Sequence, residues 1–164
     1  MEKVRIFKAV RSAIIVIVLL VAMVWVKTYF YGLNQYRQGE KALASGDLKN
    51  AISDYETAIH MYTPFSKYVP ASAERLWEIG QGFERSGDYD WALLAYRSIR
   101  SSFYGVRSLY TPYKDWIIRS DAQINEVLAL QAQKDMKTAP PQAGGPAAGQ
   151  PTGGKPGDRQ HKGE

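Results

Sequence analysis

The longest hydrophobic signal in the chain is unbroken, not periodic. Residues 12 to 26 read Ser-Ala-Ile-Ile-Val-Ile-Val-Leu-Leu-Val-Ala-Met-Val-Trp-Val without a charge, and Tyr29, Phe30 and Tyr31 come close behind Lys27 and Thr28. The uncharged run alone is shorter than the roughly 20 residues a membrane span needs, but Lys27 can snorkel and the aromatics suit an interfacial belt. A membrane helix over residues 12–33 is therefore predicted. Beyond it the pattern becomes amphipathic. Leu48, Ala51, Ile52, Tyr55, Ala58, Ile59 and Tyr62 fall on one face of a helix over 48–62, and Tyr89, Ala92, Leu93, Tyr96, Ile99 and Phe103 do the same over 89–103. A helix over 70–86 is expected to start at Pro70, whose ring presets the first turn. Thr111-Pro112 offers the cap and first residue of another, in which Trp116, Ile117, Ile124, Val127 and Leu128 form an apolar stripe. No segment reads convincingly as a strand, so the expected class is all-α.

Two of these helices belong to a repeat. Gly39, Ala42, Gly46, Ala51, Tyr55 and Ala58 return 41 residues later as Gly80, Phe83, Gly87, Ala92, Tyr96 and Ile99, and each copy has a Gly-Asp pair, Gly46-Asp47 and Gly87-Asp88. The glycines suit a positive φ that ends one helix, and the aspartates suit the N-terminus of the next. Ala51 and Ala92 are small where neighbouring helices come closest. This spacing over residues 33–103 resembles the tetratricopeptide repeat, whose unit of about 34 residues is a pair of antiparallel helices. The second copy fits better, adding Leu76, Ile79 and Phe83 where the first has Gln35, Gln38 and Ala42. The longer offset requires an insertion between the copies, expected around Pro64 to Pro70. The resemblance implies a short α-solenoid of two helical hairpins plus a capping helix. Such arrays usually need about three units to bury a continuous core, which leaves dimerisation or a stably bound partner open.

The basic flank sets the topology. Lys3, Arg5, Lys8 and Arg11 stand against Glu2 in residues 1–11, so the positive-inside rule keeps that flank cytoplasmic and exports the chain beyond the apolar run. A cleaved signal peptide shares this beginning, but Ala22-Met23-Val24-Trp25-Val26-Lys27 lacks the pair of small residues that cleavage requires, and an uncleaved signal-anchor is expected. The chain has no cysteine, which excludes disulfides, thiolate metal sites and lipidation at a thiol. From Thr138 the composition turns to Pro, Gly, Ala, Gln and Lys; residues 138–164 cannot bury a core and are expected to be a disordered tail. A folded domain over 34–137 remains.

The net charge of +5 is not a nucleic-acid signal once it is divided along the chain. Residues 1–26 hold four basic side chains against one acidic, and the domain over 27–137 holds fourteen against thirteen. A nearly neutral domain lacks the concentrated basic surface that DNA or RNA requires. Within it, residues 97–119 carry Arg97, Arg100, Arg107, Lys114 and Arg119 against Asp115 alone, interleaved with Phe103, Tyr104, Tyr110, Tyr113 and Trp116. Such a cluster, with Tyr110 among its aromatics, suits recognition of carboxylates, anionic headgroups or a partner's anchor residues; a solvated basic face with inward aromatics is the other reading.

By the register of the resemblance, an inner groove would be lined by Tyr36, Arg37 and Glu40 from the first copy and by Glu74, Trp77, Glu78 and Gln81 from the second. It lacks the Lys, Arg and Asn set with which family members grip acidic C-termini, so an extended apolar and basic segment is the implied ligand. Catalytic chemistry is not expected. His60 and His161 are solitary, no nucleophile, metal-ligand or phosphate-loop motif is present, and neither cofactor nor metal is implied. In overall plan the chain is similar to bitopic bacterial proteins whose periplasmic helical repeats assist envelope assembly, such as ancillary subunits of the secretion translocon and cytochrome c maturation factors. The expected function is protein–protein interaction, as an inner-membrane scaffold or an assembly or chaperone factor facing the periplasm. A permanent structural subunit of a larger membrane complex is the alternative.

Overall fold

The computed structural model describes residues 2–107 and 111–138; of the tail expected over 138–164, all but Thr138 lies outside the described residues. Among the described residues the chain is all-helical, with α1 (Glu2–Ala44), α2 (Leu48–His60), α3 (Tyr68–Ser86), α4 (Tyr89–Gly105) and α5 (Lys114–Thr138).

The first helix is 43 residues long and runs straight through the 33/34 boundary that hydropathy suggests. Its apolar part makes it the one helix among the described residues long and apolar enough to cross a membrane. Gly32 and Gly39 do not interrupt it. Each is buried and sits where a tyrosine ring presses on the backbone: an added Cβ at Gly32 would lie 2.6 Å from the Tyr68 ring, and one at Gly39 would lie 2.7 Å from that of Tyr55. Glycine here serves close approach instead of a turn.

The Gly-Asp turns behave alike. Gly46 and Gly87 adopt φ of +80° and +75°. Asp47 N–H bonds to Ala42 C=O and Gly46 N–H to Leu43 C=O; Asp88 and Gly87 repeat this with Phe83 and Glu84. Both turns are Schellman motifs, which satisfy the last carbonyls of the outgoing helix. The N-caps of the next helices differ: the Asp47 carboxylate accepts from Asn50 N–H at 3.1 Å, whereas the Asp88 side chain makes no capping bond.

Contacts between the helices fix their directions. Tyr55 of α2 meets Gly39 and Tyr36 of α1, and Tyr96 of α4 meets Gly80 of α3, so each Gly-Asp turn joins an antiparallel pair. Tyr29 and Glu40 of α1 reach Tyr68 and Arg75 of α3, which sets α1 and α3 parallel. Trp77 and Glu84 of α3 reach Trp116 and Gln123 of α5, which is parallel again. The result is a layer of α1, α3 and α5 backed by α2 and α4. Between them lies a core that includes Ile52, Tyr55, Ile59, Val69, Leu76, Tyr96, Ile99, Phe103 and Val127, with Ala51 and Ala92 fully buried at the contacts.

Two helix starts differ from the sequence expectation. The helix expected from Pro70 begins at Tyr68, with Pro70 still inside the first turn, where its missing N–H has no helical partner in any case. The last helix begins at Lys114, not at Thr111-Pro112. Tyr113 takes φ +54°, and its ring packs on Phe103 at 5.4 Å and Tyr62 at 6.3 Å, so the chain reverses before α5 starts. The helix then extends to Thr138, where the change in composition starts the expected tail.

Candidate partner-binding surface

The layer of α1, α3 and α5 carries most of the polar side chains that the groove expectation picks out. Two seams organise it. In the α1/α3 seam the Tyr55 hydroxyl donates to Glu40 Oε1 at 2.6 Å, and the Arg75 guanidinium donates to both Glu40 oxygens and to Glu78. Burial pushes the Glu40 carboxyl up, but the Tyr55 hydroxyl and the Arg75 guanidinium together outweigh it and hold the group below its ordinary value. The same contacts raise the Tyr55 phenol, burial first and then the negative charge of Glu40. Because Glu40 and Arg75 are both part-exposed, their ion pair orients side chains more than it stabilises the fold.

The α3/α5 seam repeats the design with other residues. The Tyr96 hydroxyl donates to Glu84 Oε2 at 2.9 Å, and the Gln123 amide donates to the same carboxylate. Burial and Glu84 raise the Tyr96 phenol. Each tyrosine thus spans from the back layer to the front and ends on a carboxylate at the surface. Adding 41 to Glu40 gives Gln81, so the acceptor is not repeated at its own position. It is supplied from the next turn of α3, and the repeat pattern could not have revealed it.

Arg37, Glu74, Glu78 and Gln81 are exposed on this layer, and Tyr36 is half-buried against Tyr55. Trp77 departs from the groove expectation. It is only 5% exposed, with its ring 4.9 Å from that of Tyr96 and 6.0 Å from that of Trp116. It packs the α3/α5 seam because α5 lies alongside α3 at that point and covers it. Arg119 lies over this pair, with its guanidinium carbon 3.9 Å from the Trp77 ring centre and 5.0 Å from that of Trp116. A guanidinium held over aromatic rings keeps its N–H donors available to an anion, and Arg119 is exposed. Arg119 has no salt bridge among the described residues, unlike Arg75 and Arg100.

The basic side chains expected as a cluster over 97–119 have different surroundings. Arg97 is exposed on α4, Arg100 pairs with Asp121 of α5 at 3.2 Å, and Arg119 joins the front layer. Arg107 stacks over the exposed Tyr104 ring at 5.2 Å, and Lys114 opens α5; both lie at the end where α4 passes to α5. Tyr110 lies outside the described residues. Arg97 and Arg100 are three residues apart on α4, so what separates them is their surroundings: Arg97 stays in solvent, whereas Arg100 is drawn to Asp121 across the α4/α5 contact. Arg75, Glu84 and Gln123 were not singled out from sequence; the only local hint was the Arg75–Glu78 spacing of an i, i+3 pair.

No group of His, Cys, Asp or Glu side chains among the described residues could hold a metal ion. His60 lies beside Gly105. Comparison of the chain with protein-family models, with curated proteins and with solved structures returns no match.

Proposed function

We propose that this chain is a membrane-anchored, tetratricopeptide-like interaction protein that presents the α1/α3/α5 layer to a protein partner, as a scaffold or an assembly factor. The observation that carries the reading is the parallel layer itself. Three helices align side by side, their exposed residues include Arg37, Glu74, Glu78, Gln81 and the stacked Arg119, and the first of them carries the apolar segment. A two-layer stack of antiparallel pairs, with matched Schellman turns and matched Gly–Tyr contacts, supports the repeat resemblance. Mixed charge along this exposed layer suits an extended peptide segment bearing both signs, and Arg119 offers a site for one of its carboxylates.

In this reading the apolar helix crosses a bacterial inner membrane. The basic flank lies in the cytoplasm and the helical domain in the periplasm, as the four-to-one basic excess before the apolar run implies. A reporter active only outside the cytoplasm, fused after Lys137, tests that orientation. The partner surface is tested by Glu74→Lys with Gln81→Lys, two exposed positions whose change spares the core. The double variant should lose the protein that co-purifies with the wild-type chain in mild detergent while keeping its thermal midpoint. Unchanged co-purification would move the binding site off this layer.

A further inference from the structure

The end of the helical domain where α2 passes to α3 lies against the apolar helix, not beyond it. Tyr62, Thr63 and Pro64 share an apolar depression with Leu20, Val21, Val24, Trp25 and Thr28 of α1. The connection is held there. The Tyr68 ring packs on Gly32 and edge-on to Tyr29, whose own ring stacks on Trp25. Any window of about 20 residues that places α1 in hydrocarbon must include the uncharged run over 12–26. The connection therefore sits at the level of the membrane's apolar interior or its edge.

Its composition suits that depth. Phe65 is 98% exposed, touching almost nothing of the protein, and holds a positive φ of 67° that a bulky side chain rarely adopts. Pro64 has no N–H to satisfy. Three polar groups beside them turn inward: Ser66 N–H bonds to Thr63 C=O, the Tyr68 hydroxyl donates to Met61 C=O at 2.6 Å, and Thr63 Oγ1 lies 3.1 Å from the Tyr68 hydroxyl. Around the same end, Lys67, Arg107 and Lys114 are exposed, with Asp115 as the nearby acid.

We propose that this end of the domain is a second membrane contact: Pro64 and Phe65 enter the bilayer beside the span, and Lys67, Arg107 and Lys114 meet anionic headgroups, so that the domain is seated on the membrane instead of swinging from it. The proposal rests on the reading of α1 as a membrane span. Because the chain has no cysteine, single labels can be placed at will. Val18→Cys, Phe65→Cys and Ser86→Cys, each in the full chain, carry a nitroxide in vesicles of phosphatidylcholine and phosphatidylglycerol. Collision with oxygen, which concentrates in hydrocarbon, is then compared with collision with a water-soluble nickel chelate. Positions 18 and 65 should favour oxygen and position 86, at the far end of α3, should favour nickel, a reversal of sign. Exchanging phosphatidylglycerol for phosphatidylcholine should make position 65 shallower; an unchanged depth would contradict the part given to the basic rim. Nickel preference at 65 with oxygen preference at 18 would overturn the second contact and leave the span standing. Shielding of 65 from both reagents would overturn it in favour of a second copy covering the loop. Nickel preference at 18 would remove the span, and the proposal with it.

Discussion

Gly80 shows how much a single missing methyl carries in this fold. A Cβ there would lie 2.7 Å from the Tyr96 ring, whose body is fully buried, whereas a Cβ at Gly82 two residues on would meet nothing within 4 Å. Gly80→Ala must push the ring and should destabilise by about 1–3 kcal/mol, while Gly82→Ala should stabilise by up to about 1 kcal/mol through helix propensity. Denaturant unfolding of the full chain in detergent reads both, and equal midpoints would contradict the packing. The Gly–Tyr pairs 39/55 and 80/96 were legible in the sequence as a repeat. The hydroxyl partners were not, because a glutamate can reach a tyrosine from either of two helical turns and so escapes a fixed offset. Glu40 should also lend the fold a small acid sensitivity. Its folded-state carboxyl titrates below the ordinary value of 4.5, so its contribution is present in full above that pH and is lost as the pH falls below it. Glu40→Gln should flatten the stability profile in that acid range, as followed by thermal midpoint from neutral pH downward; an unaltered slope would show that the carboxylate is not coupled to folding.

At the scale of elements, amphipathic periodicity located α2 and α4 well, and the Gly-Asp pairs located their starts. The ends that moved are those where tertiary packing decides. Tyr113 leaves the helical region to set its ring between Phe103 and Tyr62, a requirement of two distant rings that Thr111-Pro112 cannot announce. The continuity of α1 was hidden for a related reason: a change from apolar to amphipathic composition looks like a boundary, although no residue between Lys27 and Ala44 breaks a helix. The two aspartate caps, alike in sequence, separate in structure. Asp47→Ala removes a bond to Asn50 N–H and should cost roughly 1 kcal/mol, whereas Asp88→Ala should cost markedly less. The same unfolding experiment compares them, and equal losses would mean that the capping bond does not distinguish the turns.

For the whole molecule, the sequence supplied the helical class and the apolar helix, while the candidate surface emerged only when parallel packing of α1, α3 and α5 aligned residues far apart in the chain. Trp77 illustrates the difference. A register borrowed from resemblance puts it in the groove, but α5 closes over it and leaves Arg119 as the outward group. Whether a partner binds this layer is decided by site-specific photo-crosslinking in intact membranes. A photoreactive residue at Gln81, exposed on α3, is compared with one at Ser53, exposed on α2 of the back layer. A partner bound to this layer should give a discrete adduct at position 81 and none at position 53. The same adduct at both positions, or an adduct at 53 alone, would contradict binding there.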